Sequence, residues 1–518
     1  MKPTPLLADL SPQQLRTLAE ALLLQVQTQE SVLQQREQEI QQYKIREDKL
    51  THELALLRRF RFGKRSEVLD SQQLNLLDDL IDEDVAAVEI ELESLAVAPS
   101  KAPSRQIPKR QALPAALPRM DIHHEPEGER CACGCQLIRI GEDISEKLDY
   151  QPGTFTVERH IRGKWACRQC ETLVQAPVPP HVIDKGIPTT GLLAQVLVSK
   201  YADHLPLYRQ EKIFARAGVM LSRSTLAEWI GRTGVELQPL VDALQKELLT
   251  HSVLHADETP VAMLMPGKKQ THRAYVWAYA STRFAPIQGV VYEFRPTRSG
   301  QEVRAFLAGW RGKLVCDDFS GYKASFNLGV IEIGCMAHAR RKFHELHIAN
   351  KSQIAHQALN YMARLYEIER EIIQLSAEER VAQRHANAKP ILDGLHQWLM
   401  AQRQLIASGT ATAKAMDYSL KRWAALTRYL DDGDVPIDNN WVENQIRPWA
   451  LGRSNWLFAG SLRSGQRAAA IMSLIQSAKL NGIDPYAYLK DVLGRLPTQR
   501  ASAIHELLPH HWKPAEKA

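Results

Sequence analysis

A heptad repeat in the N-terminal part of the chain is the strongest constraint on the fold, because a long apolar seam of this kind requires an extended helix. Two rows of positions recur every seven residues, with polar interruptions: Val26, Leu33, Ile40, Glu47 and Leu54 form one row, and Leu22, Gln29, Arg36, Tyr43, Leu50 and Leu57 form the other. Such rows are the a and d positions of a coiled coil. We predict that residues 1–62 form a coiled-coil helix that joins copies of the chain. The alternative is a single amphipathic helix that packs on its own chain.

The length and composition predict a soluble protein of several domains. The chain has 518 residues, of which 44% are apolar and 24% are charged, and a domain contains roughly 100–200 residues. Apolar runs such as Gly191–Val198 are far shorter than the ~20 residues of a membrane-spanning helix. The N-terminal sequence lacks the basic start and long apolar core of a secretory signal. We therefore expect a cytoplasmic protein without a membrane partner.

Residues 63–119 are predicted to be a linker, acidic at first and then rich in proline and basic residues. The part from Glu67 to Glu93 contains ten acidic residues and no Lys or Arg. We expect a weak helix there. The following part, Pro99–Arg119, has the composition of a tether and is not expected to build a core.

A cluster of cysteines predicts a zinc ribbon over residues 120–182. Five of the seven cysteines fall in this region: Cys131, Cys133, Cys135, Cys167 and Cys170. Zinc requires four deprotonated N or S ligands in a tetrahedron, and Cys167 and Cys170 supply one half-site as a CxxC pair. The other half is CxCxC, so any two of its three cysteines are candidates. The alternative is a reduced, metal-free cluster.

Residues 186–248 are predicted to be helical and to contain a helix-turn-helix-like unit at Tyr208–Gly234. Gly218 is expected to break the first helix, and Ser222 or Ser224 to cap the second. Helix pairs joined by a short turn are also ordinary packing units, which is the alternative. Three arginines of this unit are candidate DNA contacts: Arg216, Arg223 and Arg232.

From Ser252 onward the pattern predicts a mixed α/β sheet that is interrupted by a helical insertion. Three neighbouring strand patterns, a helix and two further strand patterns occupy residues 250–341. Residues 342–434 contain few helix breakers and are predicted to be the insertion. Residues 435–461 return to the sheet domain, and residues 462–518 are predicted to be a C-terminal helical segment.

Three carboxylates in this region are candidate metal ligands. Asp257 is predicted in the first strand, Asp317 in the fourth, and Glu443 after the insertion. Two-metal phosphoryl chemistry needs carboxylates that converge on hard cations about 3.5–4 Å apart. Because side chains alternate along a strand, only one of Asp317 and Asp318 is expected to face Asp257. Among 59 acidic residues, such spacing alone is weak support.

The sequence around the three acids is much more specific than their spacing, because it resembles the motifs of a known family. The segments are LHADETPV (Leu254–Val261), LVCDDFSGY (Leu314–Tyr322), GCMAHARRKF (Gly334–Phe343) and IDNNWVENQIRPWALGRSNWLFAGS (Ile437–Ser461). They resemble motifs of the insertion sequence 66 family of bacterial transposases. Ser199–Trp229 and Lys479–Leu489 are similar to the segments that flank that family's catalytic core. The resemblance extends over nearly the whole chain.

The resemblance implies an RNase H-like catalytic domain whose triad is Asp257, Asp317 and Glu443, with Mg²⁺ or Mn²⁺ as the cofactor. Asp318 is a rival for Asp317, because Asp-Phe stands here where the family usually has Gly-Tyr. The expected activity is DNA transposition: binding of terminal inverted repeats, strand cleavage and strand transfer. Alternatives are a catalytically silent DNA-binding relative, a nuclease that does not join DNA, and a coiled-coil scaffold.

Further DNA contacts are expected beside the triad. Arg447 follows Glu443 by four residues and would share its helix face, and Pro448 is expected to end or kink that helix. Four arginines are candidate contacts: Arg340, Arg341, Arg447 and Arg453. Each is alternatively a salt-bridged surface residue. The resemblance also implies that accessory proteins of the same mobile element act with this one, close to the bacterial nucleoid.

Overall fold

A computed structural model describes residues 12–62, 71–95, 113–125, 130, 136–151, 153–183, 186–265 and 271–514. The chain divides into two compact units: Met1–Arg65 with Val88–Pro108, and Ser66–Ala87 with Lys109–Ala518. Within the ranges described, no helix is both long and apolar enough to cross a membrane.

The predicted long helix is present in the first unit. It is α1 (Pro12–Phe62), which has 51 residues. Apolar seam residues remain exposed on it, including Leu33 at 61% and Tyr43 at 59%. The acidic part of the predicted linker forms α2 (Ser71–Leu95), a full helix rather than a weak one. Its residues before Val88 belong to the second unit.

The first sheet of the second unit is formed by strands from the region that was predicted to be the zinc ribbon. It contains β1 (Arg119–His124), β2 (Leu137–Gln151), β3 (Thr154–Cys167) and β4 (Leu173–Gln175). β3 is paired antiparallel with β2 and β4 and parallel with β1. Cys131, Cys133 and Cys135 lie outside the described residues. Cys167 is buried at the end of β3 and Cys170 is exposed in the following turn.

Three helices connect the two sheets: α3 (Thr190–Tyr201), α4 (Leu207–Arg216) and α5 (Arg223–Leu248). α4 ends two residues before Gly218, which has a φ of 83° that favours glycine. Of the two capping candidates, Ser222 is the N-cap of α5, and its hydroxyl accepts a hydrogen bond from the backbone N–H of Thr225 at 3.2 Å.

The second sheet is mixed, as predicted. It contains β5 (Val253–Met263), β6 (His272–Ser281), β7 (Val290–Arg295), β8 (Lys313–Cys316) and β9 (Ile331–Gly334). The spatial order is β7-β6-β5-β8-β9. β5, β6 and β7 are antiparallel neighbours, whereas β8 and β9 continue the sheet parallel to β5. The short helices α6 (Gly300–Phe306) and α7 (Ser320–Phe326) connect the later strands.

The region after β9 is helical. It contains α8 (Met336–Asn350), α9 (Gln353–Glu371), α10 (Ala377–Gln383), α11 (Lys389–Leu405), α12 (Ala411–Lys421) and α13 (Trp423–Thr427). The chain then forms α14 (Asn440–Trp456), α15 (Leu462–Leu480) and α16 (Pro485–Arg495). A 3₁₀ segment, Ala501–Leu507, follows. The helices of residues 336–427 pack around a hydrophobic cluster that includes Phe343, Leu395 and Met416.

One local prediction was wrong, and one of the two alternatives predicted for Pro448 is excluded. Asp317 lies one residue beyond β8 rather than within it, because the backbone of Asp317–Phe319 turns toward α7. Pro448 does not end its helix, since α14 continues to Trp456. An interior proline costs about 3 kcal/mol, and burial of Ile446 and Trp449 on its two sides offsets that cost by holding both halves of the helix on the core.

Candidate active site

The sheet register brings the first two predicted acids to the same edge. β5 and β8 are parallel neighbours with Leu254 opposite Leu314 and His255 opposite Val315. Asp257 and Asp317 each follow the second of these pairs by two residues, so β5 and the turn after β8 bring both acids to the same end of β8. Residues sixty positions apart in the sequence thus reach one place because β5 and β8 are parallel.

The pKa of the Asp257 carboxyl depends on its burial and on the charges around it. Burial raises the pKa of this carboxyl well above its usual value, and the negative charges of Glu258, Asp317 and Glu443 raise it further. A hydrogen bond from the backbone N–H of Glu258, at 2.9 Å, opposes these effects. The three predicted acids therefore form one electrostatically coupled group. A cation at this place would relieve their repulsion.

Glu443 lies in the first turn of α14 and faces α8. One carboxylate oxygen, Oε2, is 3.4 Å from Nη2 of Arg341, and the other, Oε1, is 3.8 Å from Nδ1 of His338. Glu443 Oε1 and His338 Nδ1 are buried and have no hydrogen-bond partner among the described residues. Burial lowers the pKa of His338, and the charge of Glu443 opposes this. An unpartnered buried carboxylate oxygen is a suitable ligand for a cation.

The carboxylates that follow Asp317 and Asp257 in the sequence, Asp318 and Glu258, are engaged elsewhere. Asp318 forms an ion pair with Arg422, whose side chain is almost buried. Glu258 accepts hydrogen bonds from the Tyr322 hydroxyl and from Nε of Arg298, both at 2.7 Å. Asp317, in contrast, uses Oδ1 to accept the backbone N–H of Phe319 at 2.9 Å. The geometry therefore favours Asp317 over Asp318 as the partner of Asp257.

Asn439 makes buried contacts beside the candidate site that the sequence reasoning missed. It is fully buried immediately before α14. Its Nδ2 donates to the carbonyl of Ala256 at 2.9 Å, its Oδ1 is 2.8 Å from Nδ1 of His255, and its backbone N–H donates to Sγ of Cys335 at 3.2 Å. Asn439 thereby fixes the start of the Glu443 helix to the strand residue that precedes Asp257. The only sequence signal was its position inside the DNN motif.

Replacing Asn439 by Ala is expected to lower both stability and activity. The loss leaves the buried Ala256 carbonyl and His255 ring unpartnered, at about 1–3 kcal/mol for such a group. A small displacement of Glu443 is expected to reduce DNA cleavage up to about 100-fold. Denaturant unfolding and cleavage rates measure the two effects. Asn444→Ala, which alters an exposed residue of the same helix, is the control, and equal behaviour of the two variants would contradict the positioning role.

The predicted DNA-binding arginines divide into two groups. Five of them have exposed side chains: Arg216, Arg340, Arg341, Arg447 and Arg453. Arg453 also donates to the carbonyl of Pro260 in β5, at 3.1 Å. Arg223 and Arg232 are partly buried and pair within the helical unit, Arg223 with Glu211 at 3.5 Å and Arg232 with Glu228 at 3.2 Å. A role of any of them in DNA binding stays a prediction.

Comparison with known protein families assigns the chain to a family of transposases. The model described as "Transposase IS66 family" matches residues 185–467, and that of the "IS66 C-terminal element" matches 473–510. The "zinc-finger binding domain of transposase IS66" matches residues 129–171, and "Transposase C of IS166 homeodomain" matches 49–122. The chain belongs to the IS66 transposase family, as its motifs predicted.

Similar full-length relatives occur in Sinorhizobium fredii (strain NBRC 101917 / NGR234). The uncharacterized protein y4jD is 39% identical over 487 residues, which cover 90% of this chain and 94% of y4jD. The uncharacterized protein y4qI is 37% identical and y4hP is 36% identical, and each alignment covers 88–90% of both chains. Each of these three alignments therefore spans most of both chains.

Proposed function

We propose that this protein is a DNA transposase that binds the terminal inverted repeats of a mobile element and catalyses cleavage and strand transfer. The observation that carries the proposal is the arrangement of three elements: β5 and β8 are parallel neighbours, and Asn439 joins the start of α14 to Ala256 of β5. Asp257, Asp317 and Glu443 come from β5, from the turn after β8 and from α14, separated in the sequence by strands and a helical insertion. Membership of the IS66 transposase family supports the same reading.

An RNase H-like fold for the catalytic domain is part of this proposal. Its support is the strand order β7-β6-β5-β8-β9, in which an antiparallel meander is continued by two parallel strands. This strand order brings two of the acids close together. The central strand, β5, contains Asp257, and its parallel neighbour, β8, ends just before Asp317. The helical insertion then returns the chain to the sheet at α14.

The donor set fits Mg²⁺ or Mn²⁺. Carboxylate oxygens are the ligands that hard divalent cations prefer, and Glu443 Oε1 is buried without a hydrogen-bond partner among the described residues. Asp257, Asp317 and Glu443 would hold the cations, which when bound supply charge stabilisation to the attacking and leaving oxygens of a phosphodiester. Arg341 pairs with the other oxygen of Glu443, Oε2, and leaves Oε1 available to a cation. By holding the cations in place, Asp257 and Asp317 would help to orient the scissile phosphate.

Exposed arginines beside these acids are proposed to contact DNA phosphates. Arg447 lies one helical turn beyond Glu443 on α14, and Arg340 and Arg341 lie on α8, which faces Glu443. Such contacts supply affinity that falls as the salt concentration rises. Arg216 at the end of α4 is proposed to extend the same kind of contact to the helix-turn-helix-like unit.

Replacing Arg447 by Ala is expected to weaken DNA binding about equally for specific and nonspecific sequences. Loss of one phosphate contact reduces the salt slope of log K by about 1. Fluorescence anisotropy over a series of salt concentrations measures this slope. Arg364→Ala, on α9 in the helical insertion, is the control and should leave the slope unchanged; an unchanged slope for the Arg447 variant would remove Arg447 from the DNA interface.

A zinc ribbon is proposed around Cys167 and Cys170, completed by two of Cys131, Cys133 and Cys135. The zinc-finger family match over residues 129–171 supports the ion. The β3–β4 turn supplies the CxxC half-site, with Cys167 buried and Cys170 accessible. Zn²⁺ in such a site stabilises the fold rather than acting in the reaction.

Cys167→Ser is expected to lose this zinc ion, because a hydroxyl does not replace a thiolate ligand. Elemental analysis of the purified full-length protein measures zinc per chain. The control is Cys316→Ser, which alters a thiol buried in β8 and should retain the ribbon zinc. Equal zinc content of the two variants would contradict the assignment.

The coiled-coil helix is proposed to join copies of the chain, so that two ends of the element are held together. The exposure of apolar seam residues such as Val26, Leu33 and Ile40 on α1 supports this role, because a second helix would bury them. The expected setting is the bacterial cytoplasm at the nucleoid, together with accessory proteins of the same element.

The function is tested by incubating the full-length chain with candidate terminal inverted repeats and Mg²⁺, with and without a chelator, and mapping the nicks. Pre-cut ends and a target plasmid test strand transfer in the same preparation. Metal-dependent nicking and plasmid insertion at the element's ends support a transposase. Nicking without insertion indicates a nuclease, and binding without nicking indicates a silent DNA-binding relative.

A further inference from the structure

A second group of metal-ligand side chains lies outside the candidate active site, where the C-terminal segment packs on the end of α5. Glu247 is in the last turn of α5, and His510 and His511 follow the 3₁₀ segment Ala501–Leu507. Nε2 of His510 is 3.1 Å and Nε2 of His511 is 3.0 Å from the same Glu247 oxygen, Oε1. The three ligand atoms all lie within 4.8 Å of one another.

The His510 ring is unusual because it is buried without a hydrogen bond. Its side chain is 4% exposed, and neither ring nitrogen has a hydrogen-bond partner among the described residues, although Nε2 is close to Glu247. Leaving a buried polar nitrogen unpartnered is unfavourable. Nε2 of His510 thus lies 3.1 Å from Glu247 Oε1 without a well-aligned hydrogen bond, which leaves this nitrogen available as a metal ligand.

We propose that Glu247, His510 and His511 bind a divalent transition-metal ion of the class that prefers imidazole and carboxylate, with Zn²⁺ as its main occupant. With Zn–N and Zn–O bonds of about 2.0–2.1 Å, tetrahedral ligand atoms lie roughly 3.3 Å apart. The observed separations of 3.0 and 3.1 Å from Glu247 Oε1 need only a small expansion to reach that distance. The set of two histidines and one glutamate leaves a fourth position.

His251 is the side chain placed to occupy or shield the fourth position. It lies close enough to His510 for its charge to act on that ring. Its Nδ1 is 3.1 Å from the carbonyl of Leu248, whereas its Nε2 is buried without a hydrogen-bond partner among the described residues. A water molecule is the other candidate for this position.

The role of the ion is to fasten the C-terminal segment to α5. Two of its ligands come from the end of the chain, and Glu247 is six residues before Val253, the start of β5. The ion therefore closes a loop of more than 250 residues, between positions 247 and 511, and such closures stabilise a fold by restricting its unfolded state. The site is independent of the transposase proposal, because it contains none of the residues assigned to DNA chemistry.

The test is the zinc content of the full-length protein after dialysis against Zn²⁺ and removal of free metal. We expect two zinc ions per chain in the wild type and one in His511→Gln, which alters a half-exposed residue and so preserves the fold. The zinc affinity of this site should fall by more than about 100-fold, beyond the 10–100-fold that loss of an outer-shell partner produces. His505→Gln, an exposed residue of the same segment, should retain both ions.

Two further measurements distinguish the zinc site at Glu247 from the zinc ribbon. Cys167→Ser should lose the ribbon ion and keep the one at Glu247, so the double variant with His511→Gln should contain none. Co²⁺ substituted at Glu247 should add ligand-field bands without the sulfur-to-metal charge-transfer band of the ribbon. Equal zinc content of wild type and His511→Gln would overturn the proposal and leave a Glu–His ion-pair cluster, whatever the outcome of the DNA cleavage assay.

Discussion

Asp257→Asn is expected to reduce Mg²⁺-dependent DNA cleavage at least about 10²–10³-fold, the scale on which loss of one electrostatic stabiliser acts in an active site. Asparagine keeps the size of the side chain but removes the charge that a divalent cation requires. Strand transfer from pre-cut ends should fall by a similar factor, because both reactions use the same carboxylates. Rates of nicking and of plasmid insertion, measured with the same DNA ends, check this result.

Protein stability distinguishes a catalytic effect from a folding defect. Burial and neighbouring acids raise the pKa of Asp257, so the protonated form is favoured in the folded state and stability is lost as the pH rises through the folded-state pKa. In metal-free buffer at neutral pH, Asp257→Asn should therefore be at least as stable as the wild type. Addition of Mg²⁺ should stabilise the wild type and not the variant.

Asp318→Asn is the matched control for this prediction. It removes a neighbouring carboxylate that pairs with Arg422 instead of facing Asp257. We expect cleavage to fall by less than about tenfold, since only the ion pair beside the site is lost. Retention of strand transfer by the Asp257 variant, or an equal loss in both variants, would contradict the assignment of Asp257 and Asp317 to the metal site.

The long motifs around Asp257, Asp317 and Glu443 are what single out these three acids in the sequence, and their assignment as metal ligands stays a prediction. The sequence did not predict how the three side chains are held. The contacts that orient Glu443 come from Arg341 and Asn439. Which partner an arginine or an asparagine meets depends on packing between α8, α14 and β5, and that packing leaves no pattern in a single sequence.

The burial of acidic residues in α2 could not be predicted from the sequence. A run with ten acids and no basic residue predicts a solvated linker, yet Glu83 and Asp84 of α2 are fully buried. Their counter-charges are Lys200 on α3 and Arg467 on α15, more than 100 residues later. Local composition contains no information about such partners. Close approach is possible because α5 has Gly231 there, where a Cβ would lie 2.3 Å from the carbonyl oxygen of Glu83.

Arg467→Ala is expected to destabilise the protein by about 3–5 kcal/mol, the effect of removing one partner from a buried ion pair. Arg467 Nη2 lies 3.0 Å from Oε2 of Glu83 and 2.9 Å from Oδ1 of Asp84, and its side chain is 3% exposed. Lys200 and the Ser461 hydroxyl remain as partners for these two acids. Neither of these partners supplies a positive charge to both carboxylates, as Arg467 does. Guanidinium unfolding at constant ionic strength measures the difference.

Two measurements decide whether loss of the Arg467 charge causes the destabilisation: the pH dependence of the stability of Arg467→Ala, and the stability of a variant in which the buried charges are balanced. Burial already raises the pKa of Asp84, and Arg467 opposes this effect; without Arg467 the pKa rises further. The variant's stability should therefore be lost as the pH rises, with a smaller deficit at pH 5 than at pH 8. Arg467→Met combined with Asp84→Asn should regain most of the loss, because Glu83 keeps its ion pair with Lys200 and no uncompensated charge stays buried. A pH-independent deficit that this double variant fails to reduce would assign the effect to lost packing of the arginine stem.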